Sequence, residues 1–260
     1  MRKIFSLFAA LTLSVGLWAA NSVITFTSTS ELYPGEFYDQ MTKMNVFNPN
    51  AFLDANDQVL PIVEGGVTYD DATKTGTITF AGELVTLYGS DYGDVVAFMN
   101  CSSLTSITLP EGLTSLGRAS FALCSSLASV TLPESLTTIG DNVFQGCSSL
   151  ASITIPANVT EIGYGAFMDC SGLTDFYVAW TTMLPTLGNI VFGDASIGTA
   201  TLHVPAGSLA LYQNADQWKD FGSIVEYVPQ DIKDAAIAAV NAEIAETDND
   251  NVKAIATDAA

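Results

Sequence analysis

The chain has 260 residues, 48% hydrophobic and only 14% charged, enough for one or two domains with a sizeable core. Twenty-eight acidic residues against eight basic ones leave a net charge of −20. A surface of that sign repels phosphate backbones and anionic lipid, which sets nucleic acid aside as a partner class and favours solubility through self-repulsion.

Arg2 and Lys3 precede an apolar run over residues 4–17, followed by Trp18-Ala19-Ala20. The run is shorter than the ~20 residues a membrane-spanning helix needs. Residues 1–20 therefore read as a secretory signal, cleaved after Ala19 or Ala20. No cysteine follows for a lipoprotein anchor, and no later stretch is long and apolar enough to span a bilayer. The expectation is an exported protein, secreted or at the cell surface, with a periplasmic location left open.

Residues 21–75 do not repeat. Val23-Ile24-Thr25-Phe26-Thr27 alternates as a strand does, and Val67-Thr68-Tyr69 with Thr77-Ile78-Thr79-Phe80 predicts a hairpin around 70–76. This region is expected to cap the N-terminal end of a repeat array that begins near residue 76, with a separate small domain as the alternative.

Repetition dominates residues 76–228. Cys101, Cys124, Cys147 and Cys170 are each 23 residues apart, and Phe98, Phe121, Phe144 and Phe167 keep the same step. So do Leu104, Leu127, Leu150 and Leu173, then Ile107, Val130, Ile153 and Phe176. Pro110, Pro133 and Pro156 close three successive copies of the strand, since proline cannot donate to a ladder. The Leu-x-x-Leu/Ile-Gly and Phe positions after the proline have no helical period and predict an irregular, 3₁₀-like return arm. One such unit cannot bury its own apolar face, but stacked units can. The fold class expected is mostly β: a right-handed solenoid of 23-residue repeats with parallel strands, capped ends and a short helical tail.

These residues resemble the BspA-like, Treponema-type leucine-rich repeat family of bacterial surface proteins. The C-S-S-L-T-S-I-T-L-P run and the step Ala166-Phe167-Met168-Asp169-Cys170 carry the resemblance. It extends over residues 76–228, with an insertion at 88–94 and a loosened register after Cys170. The segment 206–228, with Tyr212, Trp218 and Phe221, resembles the closing segment of such arrays. The resemblance implies an exported or surface-bound binding protein, with adhesion or host interaction as its role and a protein or glycan on a host or bacterial surface as partner. A structural spacer or envelope-assembly component is the alternative.

Residues 229–260 change character. Ile237, Val240 and Ile244 share one helical face within the alanine-rich stretch 231–245, which predicts a helical tail. The run 248–251 hints at a calcium loop but lacks the glycine and twelfth-position glutamate of an EF-hand.

Candidate chemistry is sparse. The four cysteines occupy one column with parallel side-chain vectors, which suits a buried thiol ladder better than disulfides or a zinc tetrahedron. His203, the sole histidine, falls in an outward strand column with Thr79, Thr108, Thr131, Thr154 and Tyr177. A second column runs Thr77, Ser106, Ser129, Ser152, Asp175 and Thr201. No nucleophile elbow accompanies the histidine, and Asp91, Asp94, Asp141, Glu161 and Asp169 scatter over turns and return arms. A non-catalytic protein without cofactor or metal is expected. Tyr177, Trp180, His203 and Asp175, at the C-terminal end of the outward face, are the ligand-contact candidates, together with Thr108, Thr131 and Thr154.

Overall fold

The computed structural model describes residues 21–34, 46–89, 95–193 and 195–227. The signal segment, the helical tail, the run 248–251 and the carboxylates Asp91 and Asp94 lie outside them.

Each repeat contributes one outward-facing strand whose inner residues are buried. In Ser152–Ile155 the isoleucines point inward while Ser152 and Thr154 are exposed, Ser129–Thr131 and Asp175–Val178 alternate in the same way, and Leu104–Thr108 does so from Ser106 onward. Neighbouring repeats pair in parallel with equivalent residues opposed, as in Val130 with Ile107 and Ile153 with Phe176. The front face is two ladders, with Ser129–Thr131 at the end of one and Ser152–Ile155 at the start of the next. The chain is a mostly β solenoid with the 23-residue spacing that the sequence predicts.

The return arms differ from the 3₁₀-like expectation. Each coil places a two-residue strand on the back face: Thr86–Leu87, Ser115–Leu116, Thr138–Ile139, Glu161–Ile162 and Thr186–Leu187, all in parallel register. Bonds such as Gly140 N–H to Leu116 C=O (2.8 Å) require the arms to approach closely. A Cβ on Gly163 would fall 2.6 Å from the backbone nitrogen of Asp141, which accounts for the glycine recurring there.

Between the two faces runs a phenylalanine column. Phe98, Phe121, Phe144 and Phe167 stack at 5.3, 5.6 and 5.4 Å between successive centroids, and Phe192 continues it at 5.8 Å. At the C-terminal end the column meets Phe176, Trp218 and Phe221 edge-on or tilted, and Tyr212 packs on Trp218. A parallel strand, Ser223–Tyr227, completes that end beside Thr201–Pro205. At the N-terminal end Phe47 and Phe52 pack against Phe98.

All four cysteines are buried thiols. Cys124, Cys147 and Cys170 each donate Sγ–H to the carbonyl of a phenylalanine 26 residues earlier, at 3.0, 3.2 and 3.1 Å. Burial pushes the Cys124 and Cys170 thiols up to about 12, so they are inert as nucleophiles at neutral pH.

The N-terminal region corrects one alignment. The hairpin of Ile62–Asp70 and Thr75–Phe80 forms as expected, but strand Val23–Ser28 inserts between Thr75–Phe80 and Leu104–Thr108, antiparallel to both. Thr25 is opposed by Thr77 on one side and Thr108 on the other. The outward row therefore shifts by two residues, so that Thr77, and not Thr79, lines up with Thr108, and Thr75, and not Thr77, with Ser106.

Several turns are strained. Ala119, Asn142, Gly165 and Ile190 adopt φ of 56°, 54°, 57° and 46° at one recurring turn. Left-handed φ is ordinary for glycine and asparagine but costly for a β-branched residue. Ile190 is also 49% exposed and so has little packing to lose. Ile190→Gly is expected to stabilise the protein by about 1 kcal/mol in urea unfolding, relief of the strained φ exceeding the entropy glycine adds to the unfolded chain.

Candidate functional site

The outward candidates converge at the C-terminal end of the front face. Asp175 and Tyr177 leave strand Asp175–Val178 on its outer side, and the parallel register sets Thr201 beside Asp175 and His203 beside Tyr177. The Tyr177 and His203 rings stack face to face at 4.1 Å with their planes 8° apart. Parallel strands force this, because equivalent side chains on adjacent strands leave the sheet in the same direction. His203 Nε2 lies 2.7 Å from Asp175 Oδ1, and an ionised carboxylate can only accept, so Nε2 carries the proton. Thr174 Oγ1 donates to Asp175 Oδ2 at 2.9 Å. The His203 and Thr174 hydrogen bonds hold the Asp175 carboxyl below its ordinary value, so it is ionised well into the acidic range.

Trp180 does not join this group. Strand alternation ends at Val178, and the indole turns inward, leaving the residue 7% exposed. Its Nε1 donates to Val159 C=O at 2.9 Å, and its own carbonyl accepts from Tyr212 OH at 2.7 Å. Its edge borders a separate hollow with Met183 and Leu184. Tyr227 takes the place that Trp180 leaves. Its ring meets Tyr177 edge-on at 5.8 Å, and its hydroxyl donates to Val178 C=O at 3.0 Å. The signal for Tyr227 lies in Ser223-Ile224-Val225, which repeats the alternation of Thr201-Leu202-His203 at a step of 22 residues.

Thr108, Thr131 and Thr154 are exposed in the row that leads to Tyr177. The site is thus a hydroxyl-lined strip ending in a rigid aromatic pair beside a carboxylate. Among the described residues no group of three or more His, Cys, Asp or Glu could hold a metal ion, and no helix is long and apolar enough to cross a membrane. A carboxylate hydrogen-bonded to a stacked ring offers binding contacts. A nucleophile poised beside the imidazole, which acid–base catalysis of the serine-hydrolase kind requires, is not part of the arrangement.

The repeat unit decides the family. Six copies of the BspA type leucine rich repeat match residues 94–215. The repeat region belongs to the BspA-type leucine-rich repeat family. The BspA-type coils supply every strand from Leu104–Thr108 to Thr201–Pro205, and hence the platform for Asp175, Tyr177 and His203. Among solved structures, the leucine-rich repeat protein of T. pallidum is similar at 21% identity over 61% of this chain and 85% of its own, with a TM-score of 0.40. The pneumococcal vaccine antigen PcpA is similar at 20% identity over 55% of this chain, with a TM-score of 0.40. A leucine rich cell surface protein of Faecalibacterium prausnitzii is similar at 20% identity over 58% of this chain, with a TM-score of 0.31. The chain spans 41% and 34% of the lengths of the last two. A search of curated proteins returned no match.

Proposed function

We propose that this protein is exported to the cell surface and binds a protein or glycan of a host or bacterial surface through the outer face of its BspA-type repeat sheet, in an adhesive role. The observation that carries this reading is the Tyr177–His203 stack, locked by Asp175 on an otherwise hydroxyl-lined face. Rigid aromatic side chains contribute contact area at low entropic cost, and such residues are over-represented among binding hot spots. The BspA-type repeat, a bacterial leucine-rich repeat associated with protein binding, gives further support.

The test uses Tyr177→Ala/His203→Ala against a panel of immobilised matrix proteins and whole bacterial cells. Loss of a hot-spot pair worth about 2 kcal/mol predicts roughly 30-fold weaker binding, with an unchanged circular dichroism spectrum. Binding as tight as wild type would place the partner elsewhere on the molecule.

A further inference from the structure

The opposite end of the same face carries a second feature. The inserted strand and the hairpin extend the outward row, so that Thr68, Thr77, Thr25, Thr108 and Thr131 follow one another across the five strands of one ladder, and Thr154 opens the next. Adjacent strands are spaced about 4.8 Å apart, so the row within this ladder is about 19 Å long. Alongside it runs a second row, Thr75, Thr27, Ser106 and Ser129. Repetition explains Thr108, Thr131 and Thr154. It does not explain Thr25, Thr68 and Thr77, which come from non-repeating sequence in another strand orientation and still fall in register.

Here the face is also concave. A groove of about 510 Å³ is lined by Thr25, Thr27, Thr68, Thr75, Thr77 and Thr108, among others, and by Asp70, which is paired with Thr75. Asp70 Oδ1 is already engaged by the backbone N–H groups of Ala72 and Thr73. No lysine or arginine lines the groove, and the chain carries a net charge of −20, which disfavours an anionic ligand. The hydroxyls pair along the rows, Thr68 with Thr77 at 2.8 Å and Thr27 with Ser106 at 2.7 Å, which fixes their orientation before any ligand arrives. Each threonine offers a donor, an acceptor and a methyl group at a regular interval.

We propose that this groove binds a neutral, extended glycan lying across the strands. Sugar hydroxyls match the paired donors and acceptors, sugar C–H faces match the methyl groups, and a repeating chain matches a repeating row. The site is separate from the Tyr177–His203 end and stands whether or not that end binds a partner.

The test starts from the protein of residues 21–260 on a printed array of neutral and acidic glycans, followed by calorimetric titration with the strongest neutral binder. Thr25→Val/Thr77→Val/Thr108→Val removes three hydroxyls while keeping methyl groups and strand propensity, and a loss of about tenfold or more is expected. Thr68→Arg, at an exposed position, should block the groove without disturbing the core. Glu161→Arg, at an exposed position on the return-arm face, should leave the glycan affinity unchanged. Three results would each overturn the proposal: no neutral glycan retained, a preference for acidic glycans, or full affinity in both groove variants.

Discussion

Replacing Phe144 with alanine is expected to lower the unfolding free energy by about 3–5 kcal/mol. Phe144 is fully buried and is stacked on both faces, against Phe121 and Phe167. Its removal leaves a cavity that neither neighbour can fill, because each is held by its own coil and by the next ring in the column. Stacked aromatic pairs add about 0.5–1.5 kcal/mol each beyond burial, and this substitution breaks two of them. In a solenoid the loss falls at the two interfaces that this coil makes with its neighbours, so cooperativity should suffer as well as stability. Urea unfolding followed by circular dichroism and by tryptophan fluorescence checks both. Trp180 and Trp218 both lie on the C-terminal side of Phe144, so separated transitions would show the two halves uncoupled.

Thr25→Pro should be almost as damaging, at about 3 kcal/mol or more, although Thr25 is exposed and contributes nothing to the core. Strand Val23–Ser28 is paired on both sides, so its backbone N–H groups are used by the hairpin strand or by the first repeat strand. Proline removes a donor and leaves a carbonyl without its partner in the middle of a sheet. Val23→Pro, at the first residue of the same strand, should cost less than about 1 kcal/mol. Equal effects of the two substitutions in thermal or urea melts would contradict the inserted strand. Limited proteolysis should show the hairpin, residues 62–80, to be the first segment released in Thr25→Pro.

The period of 23 made the coils legible, since Phe98, Phe121, Phe144 and Phe167 report a local rule repeated four times. The thiol column was legible for the same reason: the cysteines lie outside the strands, and successive coils repeat the same bond from thiol to phenylalanine carbonyl. The inserted strand was not legible. Thr25 is paired with residues 52 and 83 positions away (Thr77 and Thr108), and no local pattern records which neighbours a strand chooses. A misplaced neighbour then moved the row by two, so Thr79 stood where Thr77 belongs. At the candidate site the register placed Asp175, Tyr177 and His203 together, because all three lie inside strands. Trp180 lies two residues past the end of its strand, where alternation no longer says which way a side chain points. The burial of Trp180 follows from a bond to Val159, 21 residues earlier, which only the stacked coils reveal.

Binding by the front face, and not by the back, is tested most directly by two arginine substitutions compared on the same immobilised panel. Thr131→Arg puts a bulky cation at the centre of the outward row, and Glu161→Arg does so on the return-arm face. Both positions are exposed and lie within strands. At least tenfold weaker attachment of Thr131→Arg, beside full attachment of Glu161→Arg, is the predicted result. The reverse pattern, with Glu161→Arg losing attachment and Thr131→Arg keeping it, would contradict it.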